Sequence, residues 1–194
     1  MPERVVTPSD WELVQRTREG DREAFRELVE RYQGRVAALA MGMLRSREDA
    51  LDVAQETFTK AYQSLDRFKG DSGFYTWVYR IAVNLCIDHQ RREGKLTPVP
   101  FGPGERDGLG PLPLGDGPRP DQPFDRARDT EIATRLRAAI SELTPEHRAV
   151  ILLREVDGLS YEEISQVLQC PKGTVMSRLH YARRQLQARL RELL

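Results

Sequence analysis

Cysteine is scarce in this 194-residue chain: only Cys86 and Cys170 occur, far apart and without a Cys-x-x-Cys pair. That argues against a disulfide framework or a cysteine zinc site and fits a reducing compartment. Cys86, among apolar residues, reads as a small core side chain. Three histidines, His89, His147 and His180, are scattered, so the sequence presents no metal-ligand cluster, and no cofactor is expected. No apolar run approaches the roughly 20 residues that span a bilayer. The opening MPERVVTPSDWE also lacks a signal-peptide core. No membrane insertion is expected, and the reading is cytoplasmic. Net charge is missing too, since 30 Lys and Arg balance 30 Asp and Glu. Any affinity for a polyanion must come from local patches. No catalytic residue stands out; Asp52 and Glu56, at i and i+4, are the nearest approach to a carboxylate pair.

What the chain does have is charge of both signs, 31% of residues, beside 39% hydrophobic ones, which suits compact helical units. Between Glu93 and Pro123, seven glycines and eight prolines fall within 31 residues. Such a stretch buries too little apolar surface to offset its ordering entropy and reads as a flexible linker. It separates residues 10–92 from residues 125–194, with 93–124 as the tether. Neither block shows strand alternation. The expected fold is all-α: two small helical domains joined by a Pro/Gly-rich linker.

The segment from Asp157 to Leu190 reads as two helices around a tight turn, the layout of a helix-turn-helix DNA reader. Ser160 and Glu163 form a capping box, and Ile164, Val167 and Leu168 give the first helix its apolar face. Cys170-Pro171 ends that helix. Val175, Leu179, Ala182, Leu186 and Leu190 make the buried stripe of the second helix. At about 100° per residue, the outward face carries Met176, Ser177, His180, Tyr181 and Arg184, with Lys172 and Thr174 at the N-terminal end and Arg178 nearby. From Lys172 onward there are six basic residues and one acid, a charge suited to phosphates.

In the first block, Phe25, Leu28, Val29, Tyr32, Val36, Leu39, Ala40 and Met43 form a long helical stripe. Ser46 and Asp49 open a further helix as a capping box, with Leu51, Ala54, Phe58, Ala61 and Leu65 expected inside. Its opposite face presents Asp52, Glu56, Thr59 and Gln63, with Gln55 at the flank. Such a polar face is ordinary on a surface helix. Phe68–Gly73 reads as a loop, with Ser72 capping the next helix. That helix, to about Arg92, is apolar nearly all round, leaving a stripe of Thr76, Arg80, Asn84 and Arg91. Seven of the fourteen aromatic residues lie between Phe58 and Tyr79. Packing accounts for most of them, although aromatic and basic residues beside a loop also suit single-stranded or flipped-out bases.

Taken together, DREAFRELVERYQGRV at 21–36, Asp52-Val-Ala-Gln-Glu-Thr-Phe58, GDSGFYTWVYRIAVN at 70–84, and DGLSYEEI with CPKGTVMSRL at 157–179 resemble bacterial group 4 (extracytoplasmic-function) sigma factors, especially sigma-E-like members. The resemblance implies a promoter-specificity subunit and no enzyme. It assigns Asp52, Gln55, Glu56, Thr59 and Gln63 to docking on the clamp helices of core RNA polymerase. Lys69, Asp71, Ser72, Tyr75, Arg80, Asn84 and Arg91 would open and hold the −10 promoter element. Lys172, Thr174, Met176, Ser177, Arg178, His180, Tyr181 and Arg184 would read the −35 duplex. The linker would thread through the polymerase, and an anti-sigma factor is a further implied partner. Two positions depart from the pattern: Met176 and Tyr181 stand where relatives often carry basic residues. Met176 cannot make the bidentate contact to guanine, so the −35 sequence cannot be copied from a relative. The competing class is a self-sufficient helix-turn-helix regulator with an N-terminal interaction domain. The polar stripe and the aromatic loop weigh against it.

Overall fold

A computed structural model describes residues 7–94 and 123–193. Most of the linker, 95–122, lies outside the described residues. Among those described, the chain is helical throughout: α1 (Asp10–Arg18), α2 (Arg22–Met43), α3 (Arg47–Gln63), a 3-10 turn (Leu65–Arg67), α4 (Phe74–Arg92), α5 (Pro123–Glu142), α6 (Pro145–Ile151), a π turn (Leu152–Val156), α7 (Tyr161–Leu168) and α8 (Lys172–Leu193).

Local chemistry sets most of the boundaries. Ser9 and Glu12 close a reciprocal capping box on α1, a helix the sequence reading did not single out. Asp21 caps α2 by accepting from the Glu23 and Ala24 amides at 3.0 and 3.2 Å. Ser46 caps α3 through the Asp49 amide, but no reciprocal bond forms, because the Asp49 carboxylate faces His89 instead. The cap of α4 is Gly73 and not Ser72; the Ser72 hydroxyl instead lies 3.4 Å from the Gly73 carbonyl.

The buried sides of α2, α3 and α4 make the first core, from Leu28, Val36, Leu39, Met43, Val53, Phe58, Phe74, Val78 and Tyr79. Ala139, Leu143, Val150, Leu153, Ile164, Val167, Val175 and Leu179 are buried in the second unit. Leu51 departs from expectation, at 47% exposed. The buried side of α3 is Ala50, Val53, Ala54, Thr57, Phe58 and Ala61, which turns Leu51 toward the open space between α2 and α3.

The two helical units expected on either side of the linker are present, and they pack directly on one another. α7 lies against α4, and α5, α6 and the π turn meet α2. The two cores merge into one cluster. Three features hold the seam. Gly42 lets α2 approach Leu152 so closely that an added Cβ would sit 2.7 Å from its Cδ1. Arg148, 5% exposed, donates to Ile140, Ser141 and Leu143 carbonyls at 3.0, 2.5 and 3.0 Å and crosses to the Met43 carbonyl. The Tyr79 hydroxyl donates to Asp157 Oδ1 at 2.9 Å, with Arg35 Nε 3.8 Å from the same oxygen.

Candidate nucleic-acid and partner-binding surfaces

The first surface is the outer side of α3. Asp52, Gln55, Glu56, Thr59 and Gln63 are all exposed. Thr59 donates to the Gln55 carbonyl at 3.1 Å, and Glu56 pairs with Lys60 at 3.1 Å. Beside them runs a groove of about 810 Å³ between α2 and α3, lined by Phe25, Val29, Leu51, Phe58 and Tyr62 together with Gln55, Thr59 and Gln63. Tyr62 is 48% exposed and meets Phe25 edge to face at 4.9 Å. An apolar trough edged by Gln33, Gln55, Thr59 and Gln63 suits an amphipathic helical partner.

The second surface is the loop before α4 and the outer stripe of that helix. Lys69 and Asp71 are exposed, Ser72 and Tyr75 half-buried, and Gly70 takes φ +79°. Arg80 is half-buried; Asn84 and Arg91 are exposed. Thr76 drops out of the stripe because it is buried at 2%. α4 is packed by α2 and α3 on its own domain's side and by α7 on another, which narrows its free face. Most of the aromatic cluster is core: Phe68, Phe74, Trp77 and Tyr79 are each 7% exposed or less, and Phe68, Phe74 and Trp77 stack at 5.2–5.8 Å. Tyr75, edge-on to Tyr79 at 6.2 Å, is the ring left nearest the stripe.

The third surface is the helix-turn-helix. The Ser160–Glu163 capping box is complete, and Ile164 and Val167 are buried. α7 ends at Leu168, two residues before Cys170-Pro171, because Gln169 adopts a left-handed cap at φ 50°. On α8, Val175, Leu179 and Ala182 face inward. Met176, Ser177 and Arg184 are exposed, while Thr174, Arg178, His180 and Tyr181 are half-buried. Lys172 is exposed but pairs with Glu162. Arg178 leans on the Cys170 sulfur at 3.8 Å, and the Tyr181 ring lies 5.9 Å from His180 and 6.4 Å from His147. The members of this set that face solvent thus share one side of one helix.

The sequence did not reveal three features. One is the domain seam. Another brings Asp49, His89 and Glu93 together where α3 begins and α4 ends, with His89 Nε2 3.6 Å from Asp49 and Nδ1 3.4 Å from Glu93. The third is the contact of α1 with the loop before α4. Both partners in it, Trp11 and Arg18, lay outside every motif. Burial pushes the Cys86 thiol up to about 12, so that group is unreactive. Among the described residues no helix is long and apolar enough to cross a membrane.

Comparison with known proteins accounts for this layout. Residues 28–96 match sigma-70 region 2, and residues 133–186 match sigma-70 region 4. The chain is 40% identical over 192 residues to an RNA polymerase sigma-H factor of Pseudomonas aeruginosa, covering 98% of each. It is 38% identical over 189 residues to an ECF RNA polymerase sigma-E factor of Haemophilus influenzae, covering 96% of this chain and 97% of the relative. The solved structure of CnrH in complex with the cytosolic domain of CnrY superposes with TM-score 0.69 at 28% identity, covering 95% of this chain and 99% of CnrH. The chain therefore belongs to the extracytoplasmic-function sigma factors, non-enzymatic subunits that direct transcription initiation by RNA polymerase.

Proposed function

We propose that the three surfaces divide the work of initiation. The α3 face, Asp52, Gln55, Glu56, Thr59 and Gln63, docks on the clamp helices of core polymerase, whose apolar side chains enter the groove beside it. The loop at Lys69, Asp71 and Ser72, with Tyr75, Arg80, Asn84 and Arg91, opens the −10 element and holds the freed strand. α8, through Lys172, Thr174, Met176, Ser177, Arg178, His180, Tyr181 and Arg184, lies in the −35 major groove. The observation that carries this reading is that all five docking residues are exposed and three of them line an open apolar groove.

The domain seam adds a requirement. Elements at −10 and −35 are centred about 25 base pairs apart, about 85 Å at roughly 3.4 Å per pair. A compact chain of this length has a radius of gyration of about 16 Å. With the seam closed, the two readers cannot reach both elements, so the domains separate when polymerase binds. Polymerase then fixes their spacing, which converts two weak readers into one strong one. An anti-sigma protein would act at the same step by favouring the closed arrangement. The complex of CnrH, similar over both units, with the cytosolic domain of CnrY supports a protein partner of this kind. The location consistent with these partners is the cytoplasm.

Run-off transcription with purified core polymerase tests the reading. Promoter-dependent transcripts are expected only when chain and core are both present. Tight sequence-specific binding to promoter DNA by the chain alone, at physiological salt, would contradict it.

A further inference from the structure

We propose that Trp11 and Arg18, on α1 and outside the matched region 2 segment, are positioning residues for strand opening: they brace the loop that leads into α4. The proposal rests on the reading of that loop and stripe as the −10 surface. Arg18 Nη2 donates to the Leu65 carbonyl at 2.8 Å and to the Phe68 carbonyl, and it lies 3.4 Å from the Asp66 carbonyl. One guanidinium thus ties together the 3-10 turn and the first residue of the loop. Its Nε is buried without a partner, so the side chain is desolvated to reach those carbonyls. The same guanidinium lies 5.7 Å from the centroid of the Trp11 ring, a cation–π contact.

Trp11 holds the far side of the loop. Its ring lies 6.1 Å from Phe68 and so close to Gly70 that an added Cβ there would stand 2.9 Å from Cζ3. Gly70 is at φ +79°, so the loop's conformation and the ring's position require glycine together. Trp11 remains 45% exposed, and its ring meets the loop at Phe68 and Gly70. Lys69 and Asp71 flank Gly70 directly. A loop braced from behind meets the unpaired strand in one conformation, and its ordering entropy is met in folding and not in the opening step. The brace should therefore act on the opening rate more than on duplex affinity.

The test uses holoenzyme built with the full chain on a promoter carrying 2-aminopurine in the −10 element. Opening rate at saturation, duplex affinity, core affinity and thermal stability are measured for each variant. Arg18→Ala should slow opening about tenfold, the low end of one lost hydrogen bond to a charged group. Trp11→Ala should slow it about fivefold to tenfold, the scale of a lost cation–π contact of about 1 kcal/mol. Duplex and core affinity should be unchanged in both. Trp11→Phe, which keeps a ring over Gly70, should recover most of the rate. Lys69→Ala and Asn84→Ala report on the surface itself. If these two slow opening while Trp11→Ala opens at the wild-type rate, the brace is refuted and the surface reading stands. If all four open normally, both fail. A fall in core affinity and stability that parallels the loss of rate would make the role merely structural and would also overturn the proposal. Should Arg18→Ala fold poorly, the exposed Trp11 still decides the matter.

Discussion

Tyr79→Phe removes one hydroxyl from the domain seam and nothing else. The ring is fully buried in the first domain and phenylalanine fills the same space, so packing there is preserved. What is lost is the 2.9 Å bond to Asp157, whose side chain keeps only 10% of its exposure. Hydrogen bonds to charged groups contribute about 1.5–3 kcal/mol. Arg35, 3.8 Å away, compensates in part, which places the loss near 2 kcal/mol. That is about a thirtyfold shift from closed to open, at roughly 1.4 kcal/mol per factor of ten. Distances between spin labels placed at Glu48 and Gln166, both exposed, in a Cys170→Ser background would report it. The variant should populate longer separations and assemble with core polymerase faster. In a chain already carrying Asp157→Ala, which has no acceptor for the hydroxyl, adding Tyr79→Phe should shift the distances much less. An unchanged distance distribution for Tyr79→Phe alone would refute the claim that this bond holds the seam.

Three other outcomes follow from the surfaces. Glu56→Lys should weaken core binding at least about tenfold, since reversing an interfacial charge costs several kcal/mol; the lost pair with Lys60 is exposed and contributes only a few tenths, so thermal stability should hold. Arg184→Ala should lower affinity for the −35 duplex by about 1–3 kcal/mol if it reads a base, or reduce the salt slope by about one if it contacts a phosphate; an unchanged footprint would remove it from the interface. Burial, opposed by Tyr79 and Arg35, leaves Asp157 above its ordinary value in the closed arrangement. The closed form then binds its proton more tightly than the open form. Closure should weaken as pH rises through the window between the ordinary carboxylate value and the raised one, and strengthen on acidification through it. Label distances measured across that window check the sign.

How much of this was legible depended on whether the cause was local. The Ser160–Glu163 box and the buried stripe of α8 are interactions between near neighbours in sequence, and they could be read directly. Even there Gln169, which ends α7 in a left-handed conformation, was not foreseen, because a proline two residues on looked sufficient. Leu51 was misplaced because helical spacing identifies a stripe without saying whether a neighbour covers it. Thr76 shows the converse: it shares a stripe with Arg80 and Asn84 yet is buried at 2%, since helical spacing does not say which residues of a polar stripe a neighbouring helix covers. Ser72 was a plausible cap, but Gly73 occupies the capping position. The seam itself depends on pairs such as Arg148 with Met43 and Tyr79 with Asp157, whose separation in sequence leaves no periodic signal. The contact of Trp11 with Gly70 was missed for the same reason, although two glycines so close to an aromatic run were a sign of crowding.

The most direct test of two coupled readers is transcription by core polymerase and this chain from a library of randomised promoters. Transcribed templates should be enriched in two motifs at a constant spacing, with the upstream motif altered by changes at Met176 or Arg184 and the downstream one by changes at Asn84. Enrichment of one motif alone, or of two motifs at unrestricted spacing, would contradict the account.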